Sequence, residues 1–164
     1  MDIGYLKIKI DIKSEHDDFK KKYDFKRKEL KREEIKKVFE GFKDFFKADG
    51  NFKFKENEHS ITAEYKEHEV KLDMDIYKNI DSEDFNLAGI IKTFEKDVFE
   101  FNVEGVCNKD FTLLPPEVDT QERMIYDTRF YKDFLEGAIT YTFQYHIKGR
   151  EQTYLSMNDL LLGL

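Results

Sequence analysis

Apolar and polar residues alternate over six short segments of this chain, and this alternation limits its fold more than any other feature. A period of two places every second side chain on one face of an extended strand, so each segment is predicted to be a half-buried strand. The segments lie at residues 3–12, 52–54, 61–65, 70–76, 98–106 and 139–147. Two of the connections, at 56–59 and 66–69, are short and polar, which is typical of antiparallel neighbours. The sequence therefore predicts a mostly antiparallel sheet.

Helical periodicity is clearest between residues 35 and 46. Apolar side chains recur there with spacings of three and four residues, at Ile35, Val38, Phe39, Phe42, Phe45 and Phe46. A second helix is predicted over residues 83–96, a third from Asp127 or Thr128 to Gly137, and a last one after Ser156. Residues 14–27 are predicted to form a loop or a short helix. Residues 107–127 are predicted to form a long loop.

These elements predict a single α+β domain over residues 1–164. It has one mostly antiparallel sheet of about 5–7 strands, with two main helices packed on one face. The order of the elements is also compatible with an enlarged ferredoxin-like core. A chain of 164 residues with a hydrophobic fraction of 40% can bury a core of this kind without disulfides.

The charge is unevenly distributed along the chain. The net charge is −7, yet residues 20–37 contain ten basic and four acidic residues, so this segment carries +6 and the other 146 residues carry −13. An acidic chain is a poor general nucleic-acid binder, because neutralisation of phosphates supplies most of that affinity. The basic run is predicted to be either the solvated face of a helix or a partner-binding surface formed by Lys28, Lys31, Arg32 and Lys36.

Acidic residues occupy strand positions that alternate with the apolar ones. If those strands are neighbours, one face of the sheet is strongly negative and suited to bind a basic patch on another protein. The residues predicted to form this second candidate binding surface are Glu64, Asp73, Asp75, Glu100 and Glu104.

Asp73 and Asp75 also suggest a metal-dependent enzyme, because two carboxylates on one strand face could hold a divalent cation. The simpler interpretation is the solvated side of a strand, since Glu69 and Lys71 share that face. The chain contains no Gly-rich phosphate loop, nucleophile elbow or HExxH motif. We therefore predict no catalytic residue, no metal site and no cofactor.

A single cysteine, Cys107, indicates a reducing compartment, and no run of ten apolar residues is present that could begin a transmembrane helix. We expect a cytoplasmic, non-enzymatic protein that binds a protein partner, of the inhibitor, immunity or phage counter-defence type. The alternative is a nucleic-acid or nucleotide-binding module that uses the basic segment, and the third hypothesis is the metal-dependent enzyme. The sequence leaves the partner and the oligomeric state open.

Overall fold

A computed structural model describes all 164 residues and shows an α+β fold with a seven-stranded antiparallel sheet. The helices are α1 (Ile3–Lys47), α2 (Ile76–Asp81), α3 (Thr120–Glu136) and α4 (Met157–Leu162). The strands are β1 (Lys53–Glu56), β2 (Ser60–Tyr65), β3 (His68–Asp73), β4 (Leu87–Lys92), β5 (Val98–Cys107), β6 (Tyr141–Ile147) and β7 (Thr153–Tyr154). The chain divides into two compact units, Met1–Arg27 with Cys107–Tyr141 and Lys28–Val106 with Thr142–Leu164. The prediction of a single domain stays a prediction.

Helix α1 is 45 residues long and replaces two predicted elements. The strand predicted at residues 3–12 is wrong, and the loop or short helix predicted at 14–27 is part of the same continuous helix. Between Tyr5 and Glu40 the chain has neither glycine nor proline, and lysine, glutamate and arginine are abundant there. These residues favour helix propagation, which outweighs the short alternation of apolar residues at the start.

The strands follow one another in the sheet in chain order, from β1 to β7. This is a simple meander without a crossover, so the strand order differs from that of a ferredoxin-like core. Five of the six predicted strand segments, all except residues 3–12, overlap a strand of the sheet. The helix predicted over residues 83–96 is wrong, since Leu87–Lys92 is β4 and pairs with both β3 and β5.

Gly89 explains why β4 is a strand. It lies opposite Phe101 of β5 in the register, and a Cβ at position 89 would come within 2.7 Å of the Phe101 ring and 2.8 Å of the Met74 side chain. Glycine is unfavourable in a helix but allows this close approach in a sheet. Leu87 and Ile91 then lie on the same buried face as Gly89.

The core of the sheet-containing unit lies between one face of the sheet and two helices. Val38, Phe42 and Phe46 of α1 pack there with Leu160 of α4, which confirms the predicted Phe-rich stripe. The predicted cap of α4 is also confirmed, because the Ser156 side chain accepts a hydrogen bond from the backbone of Asp159. The second helix on the core is thus α4.

The other unit pairs α3 with the first part of α1. Helix α3 begins earlier than predicted, since its N-cap is Asp119 and not Asp127 or Thr128, and it ends at Gly137 as predicted. The Tyr23 ring of α1 lies 4.7 Å from the ring of Tyr131 and 5.1 Å from that of Phe134. Aromatic packing of this kind fixes the two helices against each other.

Candidate protein-binding groove

A groove of about 660 Å³ lies on the face of the sheet opposite the core. Its floor includes Ala88 and Ile90, which project from β4 away from the buried Leu87 and Ile91. In the register, Ile90 lies opposite Asp73 of β3 on one side and opposite Glu100 of β5 on the other. Neighbouring strands are about 5 Å apart, so these two carboxylates flank an apolar strip only about 10 Å wide.

Helix α2 and the segment after it form one wall of the groove. The side chain of Asn79 in α2 accepts a hydrogen bond from the backbone N–H of Ala88 (2.7 Å) and donates one to its carbonyl (2.9 Å). The paired part of β3 opposes only residues 90–92 of β4, so the Asn79 amide takes the place of a neighbouring strand at Ala88. This contact fixes α2 at the edge of the groove.

Asp75 does not lie on a strand, so the prediction that it shares a strand face with Asp73 is wrong. Strand β3 ends at Asp73, and Asp75 is the N-cap of α2, where its side chain accepts a hydrogen bond from the backbone of Lys78 at 3.1 Å. Both aspartates nevertheless line the groove. Asp75 thus caps the helix while its carboxylate lies exposed at the rim of the groove.

Four carboxylates and two lysines line the groove. Asp73, Asp75, Asp84 and Glu100 are the acidic residues, and Lys78 and Lys148 are the basic ones. Glu100 accepts a hydrogen bond from Lys148 at 2.7 Å, and this bond raises the pKa of Lys148. Asp73 lies 3.5 Å from Lys71. These ion pairs are partly exposed and therefore weak, so an incoming cation can compete for the carboxylates.

Lys31 is wholly buried, so its assignment to a partner-binding surface is wrong. Its exposed fraction is 0%, and its Nζ donates to the Ser82 carbonyl (3.1 Å), the Ser82 hydroxyl (2.6 Å) and the Asp84 carbonyl (3.0 Å). The Asp84 carboxylate lies 3.5 Å away. Lys31 therefore holds the 82–84 segment, which is part of the groove wall, against α1.

The other predicted basic residues lie on α1 beside acidic neighbours. Lys28 is 3.9 Å from Asp81, Arg32 is 4.0 Å from Glu29 and Lys36 is 3.9 Å from Glu40. Two of these pairs have the helical spacing expected of a solvated helix face. None of the three residues lines the groove.

The remaining predicted acidic residues divide between two places. Glu104 lies in a smaller depression of about 350 Å³ that shares Asn86 and Asn102 with the groove, and its carboxylate is 3.2 Å from His146. Glu64 is on β2, 3.3 Å from Lys55, and does not line the groove. The structure thus brings Asp73, Asp75 and Glu100 together, places Glu104 next to them and leaves Glu64 apart.

Sequence reasoning missed Asp84, Asn79 and the apolar floor. All three depend on β4, because the sequence predicts a helix over residues 83–96, whereas Leu87–Lys92 pairs with β3 and β5 and forms the floor of the groove. The Asn86-Leu-Ala-Gly segment offered a signal, because a glycine in the middle of an apolar run is more typical of a strand with a close neighbour than of a helix.

No group of three or more His, Cys, Asp or Glu side chains is arranged to hold a metal ion. No helix combines the length and the apolar character needed to cross a membrane.

Comparisons with protein-family models, with curated proteins and with solved structures found no match. The fold and the groove together define the class: an α+β protein built on a seven-stranded antiparallel meander, with an acid-rimmed groove on its outer face.

Proposed function

We propose that the protein binds a basic segment of a protein partner in the groove and has no catalytic activity of its own. The observation that carries this proposal is the combination of four carboxylates with an apolar floor in one groove. Lysine and arginine have apolar stems and charged ends. Their stems fit against Ala88 and Ile90, while their charged ends reach Asp73 and Glu100 on either side.

The amide side chains of the groove add hydrogen-bonding groups for a peptide backbone. Asn86 and Asn102 line the groove and the depression around Glu104, so polar contacts extend along the face beyond the carboxylates. An interface of this type is polar at its rim and apolar at its centre. A cytoplasmic inhibitor, immunity protein or counter-defence protein that covers a basic site on its target would use such a face.

The test is a titration of the ¹⁵N-labelled protein with short peptides that alternate lysine or arginine with leucine, followed by NMR. We expect shift changes at residues 73–90 and 100–102, and we expect affinity to fall as salt rises, because the contacts are ionic. The double substitution Asp73→Asn with Glu100→Gln should weaken binding at least about fivefold.

The matched control is Glu33→Gln with Glu95→Gln, which removes the same charge from exposed positions that do not line the groove. Equal weakening by both double variants would show that only the net charge matters, and it would contradict the proposal that the peptide binds in the groove. Binding of acidic control peptides with the same affinity would contradict the charge argument.

The alternative functions receive less support from the geometry. A nucleic-acid surface on the basic segment loses Lys31 and Arg27, which are both buried, and its exposed members have acidic neighbours. A metal-dependent enzyme on Asp73 and Asp75 loses the shared strand face on which that hypothesis depends, because Asp75 is the N-cap of α2. Charge reversal at Lys28 and Arg32 in a mobility-shift assay tests the first of these hypotheses directly.

A further inference from the structure

A second depression lies on the outer face of the sheet, next to the acid-rimmed groove. Its volume is about 530 Å³, and its lining includes Lys71 of β3, Lys92 of β4 and Val98 of β5. These three residues form one row across the sheet, because Lys92 lies opposite Lys71 on one side and opposite Val98 on the other. This depression is called the lysine pocket below.

The lysine pocket and the groove occupy neighbouring rows of the same strands. The row of the groove contains Asp73, Ile90 and Glu100, and each of them is two residues along its strand from a member of the lysine row. Residues two apart on a strand point to the same face and are separated by about 6.7 Å. The outer face therefore presents a negative row and a positive row at this spacing.

The two lysines are placed unfavourably in the free protein, because like charges directly opposite each other on neighbouring strands repel. Lys71 lies 3.5 Å from Asp73, whereas Lys92 is exposed and forms no ion pair. Glu67 and Glu69 line the lysine pocket near the turn between β2 and β3, and neither forms an ion pair with Lys71 or Lys92. The lysine row therefore has room for an anion from another molecule.

A basic ligand in the groove increases the need for this anion. A lysine or arginine that reaches Asp73 competes with Lys71 for the carboxylate. It also brings a further positive charge close to Lys71 and Lys92. An acidic ligand side chain between the two lysines would offset both effects, so the face favours a ligand that carries both charges over a purely basic one.

We propose that the partner segment is extended and carries an acidic residue two positions from its basic residue, with the acidic side chain bound between Lys71 and Lys92. This inference rests on the proposed function, because the basic residue is the one expected in the groove. In an extended peptide, side chains two positions apart point to the same side and are about 6.7 Å apart, which equals the spacing of the two rows. Either order of the two charges fits, since a peptide can run in either direction along β4.

Three seven-residue peptides of lysine, leucine and threonine test the spacing. The first has a glutamate two positions from its lysine, the second has glutamine in place of that glutamate, and the third has the glutamate next to the lysine. The third has the composition of the first, but its charges point to opposite sides of an extended chain. We expect the first peptide, in at least one of the two orders, to bind at least about threefold more tightly than the other two by fluorescence anisotropy at low salt.

A substitution in the lysine pocket tests the location. Lys92→Gln should abolish the preference for glutamate over glutamine in the peptide, because both changes remove the same contact. Lys53→Gln is the matched control and should keep the preference, since Lys53 is an exposed lysine on β1 that lines neither the groove nor the lysine pocket.

The outcomes separate this inference from the proposed function. Equal binding of all three peptides, weakened by Asp73→Asn with Glu100→Gln, would overturn the acidic residue and leave the basic segment in the groove. A preference for glutamate that survives Lys92→Gln would overturn its place between the lysines. Absence of binding by every peptide, including the purely basic ones, would contradict the proposed function and this inference together.

Discussion

Lys31 connects the long helix to the wall of the groove, so replacing it by methionine should destabilise the sheet-containing unit and loosen the groove. Methionine has a similar length and can fill the same space, but it donates no hydrogen bond. The substitution leaves the Ser82 and Asp84 carbonyls without the donor they now have at 3.1 and 3.0 Å. The Ser82 hydroxyl keeps contacts to the Asn79 carbonyl and the Asp84 carboxylate.

The expected loss follows from these contacts. Two part-buried carbonyls lose a charged donor, and a hydrogen bond to a charged group contributes about 1.5–3 kcal/mol. Asp84 is more than half exposed, so water compensates for part of the lost ionic contact. The burial of an apolar methionine offsets a further part. We expect Lys31→Met to lower the free energy of unfolding by about 3 kcal/mol.

Urea unfolding followed by circular dichroism measures this change, which should move the midpoint by about 1 to 2 M. Amide exchange at residues 82–86 should also become faster, because the segment loses its anchor. Lys36→Met is the matched control, since Lys36 is exposed and 3.9 Å from Glu40, and its effect should stay below about 0.5 kcal/mol. A loss below about 1 kcal/mol for Lys31→Met, or equal losses for both variants, would refute the assignment of Lys31 as a buried anchor.

Three further substitutions test the core and the sheet. Burial is the main cause of the raised pKa of Tyr145, and the hydrogen bond to Glu34 at 2.6 Å raises it further. Above pH 10 this tyrosine therefore ionises in the unfolded chain before it ionises in the folded protein, so the free energy of unfolding falls as the pH rises. Tyr145→Phe should lower the free energy of unfolding by about 1–3 kcal/mol at pH 7. The difference from the unsubstituted protein, measured by urea unfolding, should shrink by up to about 1.4 kcal/mol per pH unit above pH 10. A deficit that stays constant with pH would contradict the raised pKa. Phe42→Ala should cost about 3–5 kcal/mol because Phe42 is wholly buried, and Phe94→Ala, at an exposed position, should cost less than about 1 kcal/mol by the same assay. Gly89→Ala should cost about 1–3 kcal/mol through its clash with the Phe101 ring, and wild-type stability would show that the ring can move aside.

The elements that could be predicted from the sequence are those whose pattern agrees with their burial. In β6, Tyr145 and Ile147 alternate with polar residues and are buried, and in α1 the stripe at Val38 and Phe42 packs on the sheet. Local pattern was misleading where neighbours decide the structure. The helical spacing of Leu87 and Ile91 also fits a strand, and pairing with β5 decides in favour of the strand.

In the candidate site, too, the residues that could be predicted are those whose local pattern agrees with their burial. Asp73 and Glu100 could be predicted because both lie on outward positions of strands that form as expected. Lys31 could not, because its charge suggests a solvent-exposed residue, and only the fold shows the two carbonyls and the hydroxyl that receive its hydrogen bonds. Buried lysines are rare without such partners, which lie 51 and 53 residues away in the chain.

The beginning of α1 shows why a wrong strand prediction still carried information. Strict alternation at Leu6, Ile8 and Ile10 cannot give a helix a single apolar face, because successive positions two residues apart are separated by 200° around its axis. Once the segment is helical, its apolar residues necessarily lie on both sides, and Tyr5 and Ile8 on one side are about as exposed as Ile3 and Ile10 on the other. The exposure of these side chains is therefore a direct consequence of placing a strand-like pattern in a helix. The same conflict between pattern and structure therefore explains both the wrong strand prediction and the exposed apolar residues of this segment.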